Sequence, residues 1–170
     1  EIPGALIGNT VAADWYFPTQ TDGTIDAQGV IWLQHGFGAS NTLYSALATD
    51  LAQRTNSIVV APTLTSIPFT FSGGCLICST SQQAVAEVFL DPDRTALVTS
   101  AQDAGYTGDV SELLGAFMLS GHSAGGGFAT ATAADYVTDG SDAQDADLLG
   151  VVMFDGVSNG TFDGSFDTSI

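Results

Sequence analysis

Gly121-His122-Ser123-Ala124-Gly125 sets a hydroxyl between small residues at the spacing G-x-S-x-G. In that pattern the serine is carried on a sharp strand-to-helix turn, where side chains at the outer positions would strike neighbouring backbone. Gly126 and Gly127 extend the same tolerance. The chemistry such a turn serves is nucleophilic acyl transfer through Ser123. Unpaired N–H groups and the positive end of the helix dipole converge at a helix start, so the Ala124 N–H is placed to stabilise an oxyanion beside the serine.

The turn needs a strand before it and a helix after it, and both are legible. Phe117–Ser120 (FMLS) is a buried-strand run, and the alanine-rich stretch from Ala124 to Val137 predicts a helix. Upstream, Val30–Gln34 (VIWLQ) reads as a strand covered on both faces and ends in the turn HGFGAS. Leu43, Leu47 and Leu51 recur at helical spacing, which predicts a helix over Thr42–Thr55. Ile58–Ala61 is a further strand ending at Pro62, Gln82–Leu90 a helix, and Asp91-Pro92 the N-cap and first position of another reaching about Ala104. Leu148–Phe154 is the strand after the nucleophile helix, and Val11–Phe17 an antiparallel edge strand. Strands alternating with helices predict an α/β fold, a mostly parallel sheet with helices on both faces.

A second oxyanion donor is expected from the loop after Gln34, His35-Gly36-Phe37-Gly38. With that loop and G-x-S-x-G in this order, the chain resembles the α/β-hydrolase superfamily of serine esterases and lipases over residues 28 to 156. The resemblance implies the α/β-hydrolase fold, with Phe37, ahead of Gly36 or Gly38, giving the other oxyanion N–H. The wording of GHSAGGGFATA and GVVMFDGV is also similar to exported hydrolase domains of mycobacteria, including those attached to PE-family proteins.

A serine hydroxyl needs a base within hydrogen-bond reach. The chain has two histidines. His35 reads as a residue that holds its turn through backbone hydrogen bonds, and His122, adjacent to the nucleophile, points to the opposite side of the strand. In the superfamily the order is nucleophile, acid, histidine, with the histidine after the last strand. Residues 1–170 are therefore read as the N-terminal portion of one hydrolase domain without its last strands, the catalytic histidine coming from a C-terminal polypeptide segment outside this chain. Asp155, at the end of the strand beyond the nucleophile, is the candidate triad acid; the alternative is that its carboxylate caps the following turn. Asp163 and Asp167 lie in a polar tail and rank below it. The run Asp139, Asp142, Asp145, Asp147 lacks EF-hand spacing and reads as a solvated loop rather than a calcium site.

Phe69 and Phe71, in the loop after the strand ending at Pro62, and Tyr44 are candidates for an apolar substrate pocket, with Phe37, Leu43 and Phe154 nearby. The expected reaction is hydrolysis of a small-molecule or lipid carboxylic ester through an acyl-Ser123 intermediate, which calls for no metal or organic cofactor. The alternatives are a non-catalytic binding module on the same fold and peptidase or amidase chemistry.

Composition bounds the partners. Nineteen Asp and Glu stand against two arginines, Arg54 and Arg94, for a net charge of −17 in 170 residues without a lysine. That balance excludes nucleic-acid binding and docking to anionic membranes. With 45% apolar residues the chain has the means to fold, and its longest apolar runs fall far short of the roughly 20 residues of a membrane-spanning helix. Cys75 and Cys78, spaced CLIC, are consistent with a local disulfide, with two thiols, or with half of a redox or metal site. A first residue other than methionine, the cysteine pair and the family likeness together point to a secreted or cell-envelope bacterial protein.

Overall fold

A computed structural model describes residues 2–3, 10–67, 74–140 and 147–157. Its core is a five-stranded sheet built from β3 (Ala13–Tyr16), β4 (Val30–Gln34), β5 (Ile58–Pro62), β6 (Phe117–His122) and β7 (Leu148–Phe154), in the order β3-β5-β4-β6-β7. The edge strand β3 runs antiparallel to β5, and the other four are parallel. Two short strands, β1 (Ile2–Pro3) and β2 (Thr10–Val11), pair antiparallel beside it.

Every residue of β4 and β5 is buried, as expected of strands covered on both faces. On one face Trp32, Ile58, Val60, Phe117 and Leu119 pack against residues of α2 (Ser79–Leu90), α3 (Thr95–Asp103) and α5 (Ala124–Asp139). On the other face Ile31, Leu33, Val59 and Ala61 meet Ala48 and Ala52 of α1 (Ser45–Thr55). A single turn, α4 (Ser111–Leu114), leads into β6. Because α1 covers only the β3-β5-β4 half, a cleft of about 490 Å³ opens beside it, lined by Ile31, Leu51, Met118, Val152 and Phe154. Leu149 at its rim is 66% exposed.

Three helix starts depart from the periodicity. The segment expected as helix from Thr42 opens as a 3-10 turn, Asn41–Tyr44, and α1 follows it, closed by Asn56 in the left-handed region (φ 50°). The helix α2 begins three residues before Gln82, because the Cys78 carbonyl accepts the N–H groups of Ser81 and Gln82. The helix expected from Asp91-Pro92 starts only at Thr95: Arg94 adopts φ 41° and breaks the helical path, while the Asp91 carboxylate accepts from Thr95 and Asp93. Those two bonds lower the Asp91 pKa.

Cys75 and Cys78 form a disulfide, closing a tight loop ahead of α2. Among the described residues no helix is long and apolar enough to cross a membrane, and no group of His, Cys, Asp and Glu is arranged to hold a metal. Asp142 and Asp145 lie outside the described residues. Asp147 is not simply solvated as expected, since its carboxylate lies 3.6 Å from the Arg94 guanidinium.

Candidate active site

The C-terminal ends of β4, β5, β6 and β7 bring four loops together, on the edge where α/β sheets bind ligands. Ser123 joins β6 directly to α5 with φ 53° and ψ −122°, a conformation that glycine adopts freely and other residues only under strain. Surrounding hydrogen bonds hold it there. Its N–H donates to the Phe154 carbonyl (3.0 Å), and its own carbonyl accepts from Gly126 (2.9 Å) and Val157 (2.9 Å). The end of β7 thus clamps the turn, a partnership that no local pattern around Ser123 announces.

Each glycine of the motif has backbone where a side chain would stand. A Cβ at Gly121 would strike the Gly125 carbonyl, one at Gly125 the Gln34 and His35 carbonyls, and one at Gly126 would lie 2.8 Å from the Gly156 Cα. The start of α5 is therefore seated on the backbone that leads into the loop after β4, so the Ser123 turn and that loop are packed as one unit.

Within that loop the three candidate donors differ in their partners. Gly36 donates its N–H to the Tyr44 hydroxyl (3.1 Å), and Gly38 donates to Ser66 Oγ (2.7 Å). Among the described residues the Phe37 N–H has no acceptor, and neither does that of Ala124, which stands at the first position of α5. The two unpaired N–H groups belong to the two residues expected as donors. Ser66 was not singled out by the sequence; a serine 28 positions from Gly38 leaves no local signal.

His35 is 1% exposed and fully engaged: Nδ1–H donates to the Gly36 carbonyl (2.8 Å) and Nε2 accepts the Leu64 N–H (3.0 Å), a tautomer assigned from these partners. Burial lowers its pKa against the opposing effect of the bond to the Gly36 carbonyl, while the Leu64 N–H on the Nε2 lone pair also favours the neutral ring. Between the lowered folded value and the ordinary value near 6.5 the unfolded chain binds the extra proton, so stability is complete above about pH 6.5 and declines as pH falls below it. Thermal midpoints measured from pH 7.5 to 5 are expected to show this decline, and His35→Gln to flatten it. An unchanged slope in the variant would show that His35 is not the group that titrates. His122 lies on the α1 side of β6, with Nδ1 2.7 Å from the Tyr44 hydroxyl.

The expected substrate residues divide. Phe69 and Phe71 lie outside the described residues, as do Asp163 and Asp167. Tyr44 is half-buried with its hydroxyl committed to Gly36 and His122, and Phe154 turns to the sheet-face cleft beside α1. A groove of about 530 Å³ does run beside the loop after β4, lined by Phe37, Gly38, Ala39 and residues Thr63 to Ile67. Phe37 and Ile67 present apolar flanks to it, 63% and 64% exposed. Asp155 is exposed at the end of β7 with φ 50°, and among the described residues its carboxylate has no hydrogen-bond partner in the turn it was expected to cap.

The fold is that of the α/β-hydrolases. The Pyrobaculum calidifontis esterase superposes with a TM-score of 0.55 at 19% identity, over 82% of this chain and 39% of that one. Thermogutta terrifontis esterase 2, phosphoramylated by tabun, gives 0.54 at 15% identity over 92% and 56%. The Aspergillus awamori acetyl xylan esterase gives 0.54 at 18% identity over 91% and 50%. The chain thus spans roughly two fifths to just over half the length of these structures. No protein-family model and no curated protein matches it.

Proposed function

We propose that this chain carries the nucleophile and oxyanion site of a serine hydrolase acting on carboxylic esters. The observation that carries the reading is the strained Ser123 turn, seated against a loop in which, of the Gly36, Phe37 and Gly38 N–H groups, that of Phe37 alone has no acceptor among the described residues. In the reaction, a base takes the Ser123 proton as Oγ adds to the ester carbonyl, and the N–H groups of Phe37 and Ala124 hold the resulting oxyanion. The carbonyl re-forms as the alkoxide leaves with that proton, and water then repeats the sequence on the acyl-serine to release the acid.

The base comes from a polypeptide segment outside these residues. Both ring nitrogens of His35 are taken by backbone, and His122 turns its Nδ1 to Tyr44. Asp155, one residue beyond the carbonyl that anchors Ser123, is the acid that would orient such a histidine. The bare half of the sheet supports a missing segment: Leu149 and Val152 on β7 are exposed beside an apolar cleft that a packing element would fill. The disulfide, and the likeness to exported mycobacterial domains such as those of PE-family proteins, favour a secreted or envelope location.

Treatment of the complete polypeptide with an alkyl fluorophosphonate, followed by peptide mapping, is expected to place the label on Ser123. Labelling elsewhere overturns the assignment of the nucleophile; no labelling at all favours a non-catalytic binding module. Residues 1–170 alone should label far more slowly than the complete polypeptide.

A further inference from the structure

One hydroxyl ties the oxyanion loop to the end of β6. Tyr44 Oη accepts the Gly36 N–H at 3.1 Å and lies 2.7 Å from His122 Nδ1. With the phenol proton assigned to the ring nitrogen, its one polar partner among the described residues besides the Gly36 N–H, Nδ1 accepts and the histidine carries its proton on Nε2. The two rings are 5.7 Å apart and tilted by 46°. There is little slack in this corner, because a Cβ at Gly36 would stand 3.0 Å from His122 Nδ1 and 3.3 Å from Ser123 Cβ. On the other side of Phe37, Ser66 Oγ holds the Gly38 N–H. The Phe37 N–H is therefore bracketed by two fixed neighbours, one of them fastened to the residue just before Ser123.

We propose that Tyr44 and His122 form a positioning pair that sets where the Phe37 N–H stands relative to Ser123. This rests on the serine-hydrolase reading above. Neither side chain touches the reacting atoms; each acts through Gly36. An oxyanion donor contributes mainly when the tetrahedral species forms, so loosening it costs turnover rather than substrate affinity.

The test uses the complete polypeptide and two readouts, the rate constant for fluorophosphonate labelling of Ser123 and kcat with KM on a p-nitrophenyl ester. Tyr44→Phe, which deletes only the hydroxyl, is expected to lower both the labelling rate and kcat about 10- to 30-fold, less than loss of a whole donor, with KM within about twofold. His122→Phe is expected to lose as much, and the double variant no more than either alone, the signature of one shared link. His122→Asn, which returns an acceptor oxygen near the Nδ1 position, recovers most of the rate. Wild-type labelling with Tyr44→Phe equally fast, or losses that multiply in the double variant, overturns the pairing and leaves the hydrolase reading intact. If Tyr44→Phe does not fold, equal rates for His122→Phe and His122→Asn overturn it instead. Failure of the wild type to label at Ser123 overturns the hydrolase reading and the pairing with it.

Discussion

Replacing Ser123 with glycine is expected to abolish turnover and at the same time stabilise the protein. The backbone at φ 53° and ψ −122° costs a residue with a Cβ on the order of 1–3 kcal/mol. Glycine relieves that cost, partly offset by the greater freedom of its unfolded state, roughly 0.5–1 kcal/mol. A net gain of about 1 kcal/mol raises the thermal midpoint by about 2–4 °C in a chain of this length. Ser123→Ala keeps the Cβ and the strain, so its midpoint should stay at the wild-type value while turnover falls by roughly 10³-fold or more. Calorimetry and ester hydrolysis on the two variants separate strain from chemistry. A glycine variant no more stable than the alanine variant would show the turn to be relaxed, and an active alanine variant would remove Ser123 from the mechanism.

The second large effect concerns Arg94, which is 2% exposed in a chain whose surface is acidic. Its Nη1 donates to the Leu113 and Gly115 carbonyls at 2.9 and 2.8 Å, and its guanidinium carbon lies 5.4 and 5.0 Å from the ring centroids of Phe89 and Phe117. Burial pulls its pKa down and the Asp147 carboxylate opposes the shift. Arg94 thus fastens the end of α4 and the approach to β6, the strand that delivers Ser123, to the turn before α3. Methionine matches its length but leaves the Leu113 and Gly115 carbonyls without their donor, so Arg94→Met is expected to cost on the order of 2–5 kcal/mol. For a chain of this size that lowers the thermal midpoint by about 10 °C. Lysine cannot present the same fork of donors, so Arg94→Lys should fall between the two. Wild-type stability in Arg94→Met would show that the guanidinium contributes no more than an apolar side chain.

Where local pattern and tertiary structure agree, the reason is short-range. The runs of β4 and β5 are apolar because both sheet faces are covered there, and the turn at Ser123 is rich in glycine because backbone from neighbouring elements occupies the space of any Cβ. Where they diverge, an interaction outside the window has intervened. The dipeptide Asp91-Pro92 has the form of a helix start, yet the buried Arg94 takes a left-handed backbone and the helix waits until Thr95. The acidic run near Asp147 has the form of a solvated loop, yet one of its carboxylates answers the buried guanidinium.

The site divides along the same line. Sequence by itself determined the Ser123 turn, the start of α5 and the order of strands and helices around them, because these depend on residues a few positions apart. It could not choose among the N–H groups of Gly36, Phe37 and Gly38 without a family likeness. Tertiary structure decided which of them have partners: Tyr44 takes the first and Ser66, 28 residues from Gly38, takes the third. It also decided what the histidines are for, since His122 meets a phenol 78 residues away and His35 holds the Leu64 N–H across 29. A hydrogen bond across such separations imposes no periodicity on the chain, and becomes visible only when the folded sheet brings its strand ends to one edge.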